Sequence, residues 1–158
     1  MELEILSGLA KVFRAKGYDG ASLADLAAAT GLKKASLYHR FPGGKQEMAA
    51  AVLEHIDAWV ETHVFQELLD SSKSGEDRLR NGLEQIQTLY DKGNEICIFR
   101  ALSMKSGLEL FEDQIAHGMK AWINAFVEVG IALGLTPTQT HNNAVQTLIE
   151  IQGALLVT

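Results

Sequence analysis

Apolar residues recur at helical spacing along most of the 158-residue chain, and no stretch alternates apolar and polar residues over the length of a strand. Only two prolines interrupt this pattern. The sequence therefore predicts an all-α protein. We expect helices over about residues 3–16, 22–30, 33–40, 44–69, 76–90, 96–106 and 109–133, with a last helix that begins at Thr136 and Pro137.

Two consecutive short helices form a distinct motif near the N-terminus. Ser22 can cap the first helix with Asp25 as its capping-box partner, and Gly31 suits the turn that follows. Leu37 and Phe41 are spaced to pack the second helix back on the first. The other face of the second helix is polar and cationic, with Lys33, Lys34, Ser36, Tyr38, His39 and Arg40. The pattern predicts a helix-turn-helix, which needs a buried seam and a polar face free to enter the DNA major groove; a helical hairpin with a solvated face is the alternative.

The helix before this motif ends at Gly17 and contributes a core of Leu6, Leu9 and Phe13. From Ile5 to about Met48, the sequence resembles the DNA-binding head of the tetracycline-repressor (TetR) family of bacterial regulators. The most characteristic positions are Phe13, Gly17-Tyr18, residues 27–31, Leu37-Tyr38-His39, and Phe41 to Lys45. The Phe-Pro-Gly-Gly-Lys turn occurs in part of that family.

The resemblance implies roles for individual residues of the head. Tyr38, His39 and Lys45 are expected to hold DNA phosphates, and Lys34, Ala35 and Ser36 to approach base edges; the full set of predicted DNA contacts is Ser22, Lys33, Lys34, Ala35, Ser36, Tyr38, His39 and Lys45. Lys33 departs from the family pattern, because a Ser or Thr usually caps the recognition helix there. Either the cap comes from elsewhere or the helix begins one residue late.

Charge differs between the two ends of the chain. Residues 1–48 carry seven Lys or Arg and five Asp or Glu, a net charge of +2, whereas the remaining residues carry seven against fifteen, a net charge of −8. An acidic body repels DNA, so it orients the molecule and leaves the head to make contact. Because one head is only mildly basic, we expect two heads to bind one duplex.

Length and composition favour a small N-terminal domain fused to a larger one. We predict a DNA-binding domain over residues 1–45 and an effector-binding and dimerisation domain over residues 46–158. The single cysteine, the lack of a signal-peptide pattern and the lack of an apolar run of about 20 residues predict a cytoplasmic protein with no membrane partner. The last helix is still apolar at Leu155, and most family members continue with another helix, so we expect the C-terminal domain to be incomplete.

In the TetR family, a small-molecule effector binds within the C-terminal domain and two subunits form a homodimer. The helix after Lys45 places Met48, Val52, Leu53, Ile56, Trp59, Val60, His63 and Val64 on one inward arc. A polar His63 on that arc needs either a protein partner or a ligand. The predicted effector-binding residues are Trp59, His63, Tyr90, Cys97, Arg100, Met104, Trp122 and Phe126, and the predicted pairing residues are Val145, Leu148, Ile149, Gln152, Leu155 and Leu156.

Other chemistry finds little support in the sequence. Cys97 lies between two isoleucines, which is typical of a buried and inert thiol, although Arg100 keeps a redox role open. His55 and His63 are about 12 Å apart along a helix, too far to share one metal ion. No catalytic triad, phosphate loop or metal-ligand spacing stands out, so we predict no enzymatic activity, no metal and no cofactor.

The resemblance therefore implies a ligand-responsive transcriptional regulator. In this family it is most often a repressor, released from a palindromic operator by an effector, which we expect to be largely apolar here. The alternative is a helical small-molecule-binding protein with a vestigial head. A vestigial head would have little reason to keep the cations Lys33, Lys34, Arg40 and Lys45.

Overall fold

The computed structural model describes residues 1–157, and this part of the chain is helical without any strand. The helices are α1 (Glu2–Gly20), α2 (Leu23–Thr30), α3 (Lys34–Arg40), α4 (Lys45–Val60), α5 (Gln66–Leu68), α6 (Gly75–Leu89), α7 (Ile98–Leu102), α8 (Ser106–Ala132) and α9 (Pro137–Val157). A π-helical turn, Glu61–Phe65, joins α4 to α5, and a 3₁₀ turn, Asp91–Gly93, follows α6. The all-α prediction is confirmed. None of the helices in the described range is long and apolar enough to cross a bilayer.

The chain divides into two compact units. The first contains residues 1–57 and 96–115, and the second contains residues 58–95 and the chain from Ala116 onward. The division falls within α4 and within α8. The predicted boundary between residues 45 and 46 stays a prediction.

The core of the first unit explains why its three N-terminal helices form. Leu9 and Phe13 of α1 are fully buried together with Leu26 of α2 and Leu37 of α3. Helices α1 and α2 approach so closely that a side chain at Gly8 would clash with the backbone of Ala29. The helical geometry of α1 is interrupted at Gly17, which has a φ of 69° and marks the helix end predicted from the sequence.

The second unit has a mainly aliphatic and aromatic core. Phe65 meets Trp122 edge to face with ring centroids 5.3 Å apart, and Trp122 stacks on Phe126 at 6.2 Å. Helix α6 packs so closely against α5 that a side chain at Gly82 would overlap Leu68. Such aromatic contacts add to the apolar burial that holds the unit together.

Two predicted helices have different bounds in the structure. The predicted helix over residues 44–69 contains the π turn, in which i→i+5 bonding changes the bearing of the side chains that follow. The predicted helix over residues 96–106 is only the five-residue α7. It ends at Leu102 with Ser103 as its C-cap, and Lys105 adopts a left-handed conformation with φ 52° immediately before α8 begins at Ser106.

Candidate nucleic-acid interface

The entry to α2 is fixed by a capping box. The Ser22 hydroxyl accepts a hydrogen bond from the Asp25 backbone N–H at 3.1 Å, and the Asp25 carboxylate accepts one from the Ser22 N–H, also at 3.1 Å. Gly31 ends the helix with φ 68° in the left-handed region. Both predictions are confirmed: the capping box fixes the start of α2, and Gly31 ends the helix where the chain turns toward α3.

Helix α3 presents nearly all of its surface to solvent. Leu37 is its one buried residue and is fully inaccessible, whereas Tyr38 is 46 % exposed. The remaining residues of the helix are exposed, namely Lys34, Ala35, Ser36, His39 and Arg40. One anchored side chain thus holds a polar and cationic helix whose other faces are free, as a recognition helix requires.

The structure resolves the question of the α3 cap. Lys33 occupies the N-cap position with an extended backbone, and its side chain makes no capping hydrogen bond. The helix begins at Lys34, one residue later than predicted. Lys33 cannot cap it, because an ammonium group has no acceptor to offer the free N–H groups of the first turn. Lys33 is itself exposed beside that turn.

Lys45 is positioned by an aromatic residue of α1. The Lys45 Nζ lies 4.5 Å from the ring centroid of Tyr18. Tyr18 also stacks on Phe13 at 6.3 Å and meets Phe111 of α8 edge to face at 5.4 Å. Burial, and secondarily the charge of Asp19, raises the pKa of Tyr18, so its phenol stays neutral. The adjacent Gly17-Tyr18 motif was the sole indication of this stack in the sequence.

The turn between α3 and α4 directs Lys45 toward this ring. Phe41 is buried under the turn, and Gly44 takes a φ of 72° that favours glycine. The backbone N–H of Gly43 donates to the carboxylate of Glu47 in the first turn of α4. This hydrogen bond and the left-handed Gly44 fix the turn from which α4 begins at Lys45.

Two carboxylates of the head, Asp25 and Asp19, bind residues of other helices in the first unit. Asp25 also forms an ion pair with Lys16 of α1 at 2.9 Å. The hydrogen bond from Lys16, followed by those from Ser22, lowers the pKa of Asp25 to about 2. The Asp19 carboxylate accepts the backbone N–H of Ser106 at 3.2 Å, which caps the start of α8. The hydrogen bond from the Ser106 side chain is the main cause that lowers the pKa of Asp19, and the bond from its backbone N–H adds to it.

The predicted inward arc of α4 is confirmed in part. Met48, Val52, Leu53, Val60 and Val64 are buried, and Trp59 is half-buried. The expectation for His63 is wrong, because its side chain is exposed. His63 stacks on Trp59 at 4.3 Å, and its Nδ1 lies 2.9 Å from the Trp59 carbonyl oxygen. The π turn, which contains His63, accounts for the departure from a uniform helical wheel.

The predicted effector-binding residues do not gather in one unit. Trp59, His63, Tyr90, Trp122 and Phe126 belong to the second unit, and Cys97, Arg100 and Met104 belong to the first. Tyr90, Cys97, Trp122 and Phe126 are buried. The expectation that Arg100 and Met104 point into a core is wrong: both are exposed, and they line a cleft against α1. Arg100 is the exposed residue of α7, and Met104 lies in the segment between α7 and α8.

An apolar groove in the second unit was not predicted. It has a volume of about 430 Å³ and runs between α6 and α9. Tyr90 lies in its wall, together with Leu83, Ile86, Gln87, Ile151 and Leu155. Leu83 and Ile86 recur at i, i+3 on α6, which is the sequence signal that could have indicated this face.

Comparison with known proteins agrees with the geometry of the head. Residues 5–52 match the family described as bacterial regulatory proteins, tetR family. The chain is 24 % identical over 164 residues to the HTH-type transcriptional regulator YxaF of Bacillus subtilis, with 84 % of each chain covered. It is 26 % identical to the HTH-type transcriptional regulator Rv0196 of Mycobacterium tuberculosis, over 94 % of this chain and 78 % of the relative.

Among solved structures, a TetR transcriptional regulator from Legionella pneumophila shares the fold with a TM-score of 0.82 at 23 % identity, over 99 % of this chain and 86 % of that one. A cysteine mutant of the TetR family regulator CifR, complexed with 26-base-pair operator DNA, shares it with a TM-score of 0.64 at 21 % identity, over 97 % and 94 % of the two chains. Residues 5–52 are therefore similar to the N-terminal domain of the tetR family, and the whole chain shares the fold of these two solved TetR structures.

Proposed function

We propose that this regulator is a ligand-responsive repressor that binds a palindromic operator as a homodimer and is released by a small effector. The observation that carries the proposal is the exposure of α3, on which Leu37 alone is buried and the cationic face stays free. A bacterial regulator of this kind acts in the cytoplasm and catalyses no reaction. We also assign it to the branch of the family with the Phe-Pro-Gly-Gly-Lys turn.

The positions of the side chains on α3 and after it suggest which residues contact bases and which contact phosphates. Lys34, Ala35 and Ser36 occupy the exposed first turn of α3 and are proposed to reach base edges. Tyr38, His39 and Lys45 are proposed to contact phosphates, because they lie toward the end of α3 and beyond it. Ser22 and Lys33, exposed at the two helix starts, complete the proposed surface.

A homodimer follows from the small charge of a single head. A two-fold pair doubles the positive charge offered to the duplex and sets two recognition helices about 34 Å apart, one turn of the major groove. Helix α9 is the proposed pairing surface, because Ile149 and Leu156 are 58 % and 61 % exposed there. Leu148 of the predicted set is buried within the chain and is therefore not available for pairing. Sedimentation of the protein should show a dimer at micromolar concentration, and a monomer would count against the proposal.

The effector site is proposed to lie in the groove between α6 and α9. Its volume falls in the range of about 300–1,000 Å³ that small-molecule sites occupy. Its lining is aliphatic apart from Tyr90, Gln87 and Lys92, which suits an apolar effector with one polar group. The Trp59–His63 stack is proposed to respond to the effector and to tilt the helix that begins at the DNA-contacting Lys45.

The alternative function is a small-molecule-binding protein with a vestigial head. A gel-shift selection from random duplexes distinguishes the two, because a working head enriches one palindromic sequence. Replacing Lys33, Lys34 and Lys45 together by alanine should abolish that enrichment. Lys120→Ala, an exposed lysine of α8 outside the head, is the matched control and should leave it intact. Failure of the wild-type protein to enrich any sequence would favour the alternative.

A further inference from the structure

A second cationic surface lies in the first unit, away from the proposed recognition face of α3. It is a cleft of about 390 Å³ between the end of α1 and the segment that contains α7 and the start of α8. Four cationic side chains line it, Arg14, Lys16, Arg100 and Lys105, and Asp19 is the one carboxylate in its wall. We refer to it as the α1–α7 cleft.

The charges of this cleft are unbalanced within the first unit. Asp19 is engaged by the backbone N–H of Ser106 at 3.2 Å. Lys16 forms its ion pair with Asp25 at 2.9 Å. The Arg100 guanidinium is exposed and makes neither a hydrogen bond nor an ion pair with any residue in the described range 1–157. The charge of Lys105 faces the Asp19 carboxylate and helps to lower the pKa of Asp19, so Arg100 is the cation of this cleft that an added anion would neutralise.

The walls of the cleft leave room for such an anion. Gly17, Gly20 and Ala101 contribute small side chains or none. A side chain at Gly17 would come within 3.3 Å of the Ala101 carbonyl oxygen, and its φ of 69° also favours glycine. A larger residue at position 17 would therefore crowd the backbone of α7.

We propose that the α1–α7 cleft binds a small phosphate-bearing anion. Arg100 would hold it through paired N–H groups, because the planar guanidinium matches two phosphate oxygens. Lys105 would add a smaller attraction, because its charge already faces Asp19. A concave site of this volume fits a small molecule better than the convex surface of a duplex, so the proposed occupant is a free anion and not the DNA backbone. This ligand would be distinct from the apolar effector of the second unit.

Isothermal titration with inorganic pyrophosphate, at constant ionic strength and without DNA, tests the proposal. Wild-type protein should show saturable binding with one anion per chain. Arg100→Gln should weaken that binding at least about tenfold, which corresponds to ~1.4 kcal/mol. Lys105→Gln should weaken it by a smaller factor, and Arg100→Lys should fall between the wild type and Arg100→Gln.

Matched controls separate a site from general attraction to positive charge. Arg80→Gln and Lys120→Gln remove exposed cations of the second unit and should leave pyrophosphate affinity unchanged. Equal weakening by all four glutamine variants, or a lack of saturation, would overturn the proposal. So would a result in which pyrophosphate does not bind but Arg100→Gln lowers the salt dependence of DNA binding, since the cleft would then belong to the DNA backbone.

Discussion

The ammonium of Lys45 lies 4.5 Å above the ring of Tyr18, and this contact joins the proposed phosphate-binding lysine to the end of α1. The same ring meets Phe111 of α8 at 5.4 Å. A side chain that is to hold a phosphate loses less entropy on binding when it is already confined. We therefore expect Tyr18 to confine Lys45 before DNA binds, and the same ring connects Lys45 to α8 through Phe111.

Replacing Tyr18 tests this preparation. Tyr18→Leu should weaken operator binding by a factor of about two to five, because a cation–π contact at a partly exposed site contributes ~0.5–1 kcal/mol. Tyr18→Phe keeps the aromatic face and should bind as the wild type does. Fluorescence anisotropy with a labelled operator at fixed salt gives both values. Equal losses in the two variants would point to the hydroxyl group and away from the ring.

Lys45 and Lys34 should differ in the kind of binding they support. Lys45→Ala should weaken binding about equally on all duplexes and reduce the slope of log affinity against log salt by roughly one unit per lysine lost. Lys34→Ala should instead relax preference at one operator position, by about 1–3 kcal/mol if the contact to guanine is bidentate. Affinities measured over a panel of single-base operator variants would show the assignment to be reversed if only Lys45→Ala changed base preference.

The capping carboxylate of α2 should make stability depend on acid pH. The pKa of Asp25 is lowered to about 2 from 3.8. Its stabilising contribution is therefore complete above the unfolded value and is lost as pH falls through the folded one. Asp25→Asn should flatten the dependence of unfolding free energy on pH between these two values, and Lys16→Gln should reduce it. Urea titrations followed by circular dichroism provide the measurement; an unchanged slope in Asp25→Asn would exclude this role.

The location of the effector can be tested by filling the groove between α6 and α9. Ala154 lines this groove, and Ala154→Trp should lower the affinity of a confirmed inducer at least about tenfold by occupying its space. Trp59→Phe and His63→Ala should change the response of operator binding more than inducer affinity. If Ala154→Trp binds inducer normally while His63→Ala does not, the effector contacts the Trp59–His63 stack and not the groove.

The sequence predicted those parts of the fold that depend on local chemistry. The Ser22–Asp25 capping box, the left-handed Gly31 and the Thr136-Pro137 helix start each act within four residues, and each is present in the structure. The buried Leu37 and exposed Lys34 also follow from helical spacing alone.

The parts that could not be predicted depend on contacts between distant segments. Asp19 caps Ser106 across 87 residues, and this contact helps to define where α8 begins. The exposure of Arg100 was missed because the predicted helix over residues 96–106 is only the five-residue α7, in which the other four residues are buried. His63 was misplaced because a uniform wheel of 100° per residue cannot represent a π turn. The groove between α6 and α9 likewise joins residues far apart in the sequence, whereas the helix-turn-helix depends on neighbouring residues.

Operator selectivity tests the central claim most directly. The duplex enriched from a random pool, and a scrambled duplex of equal length and composition, should be titrated with the protein at physiological salt. A dimer that reads an operator through α3 should prefer the enriched duplex at least about 10³-fold, with two chains bound per duplex. Equal affinity for the two duplexes, whatever its strength, would contradict the claim that α3 reads a specific operator.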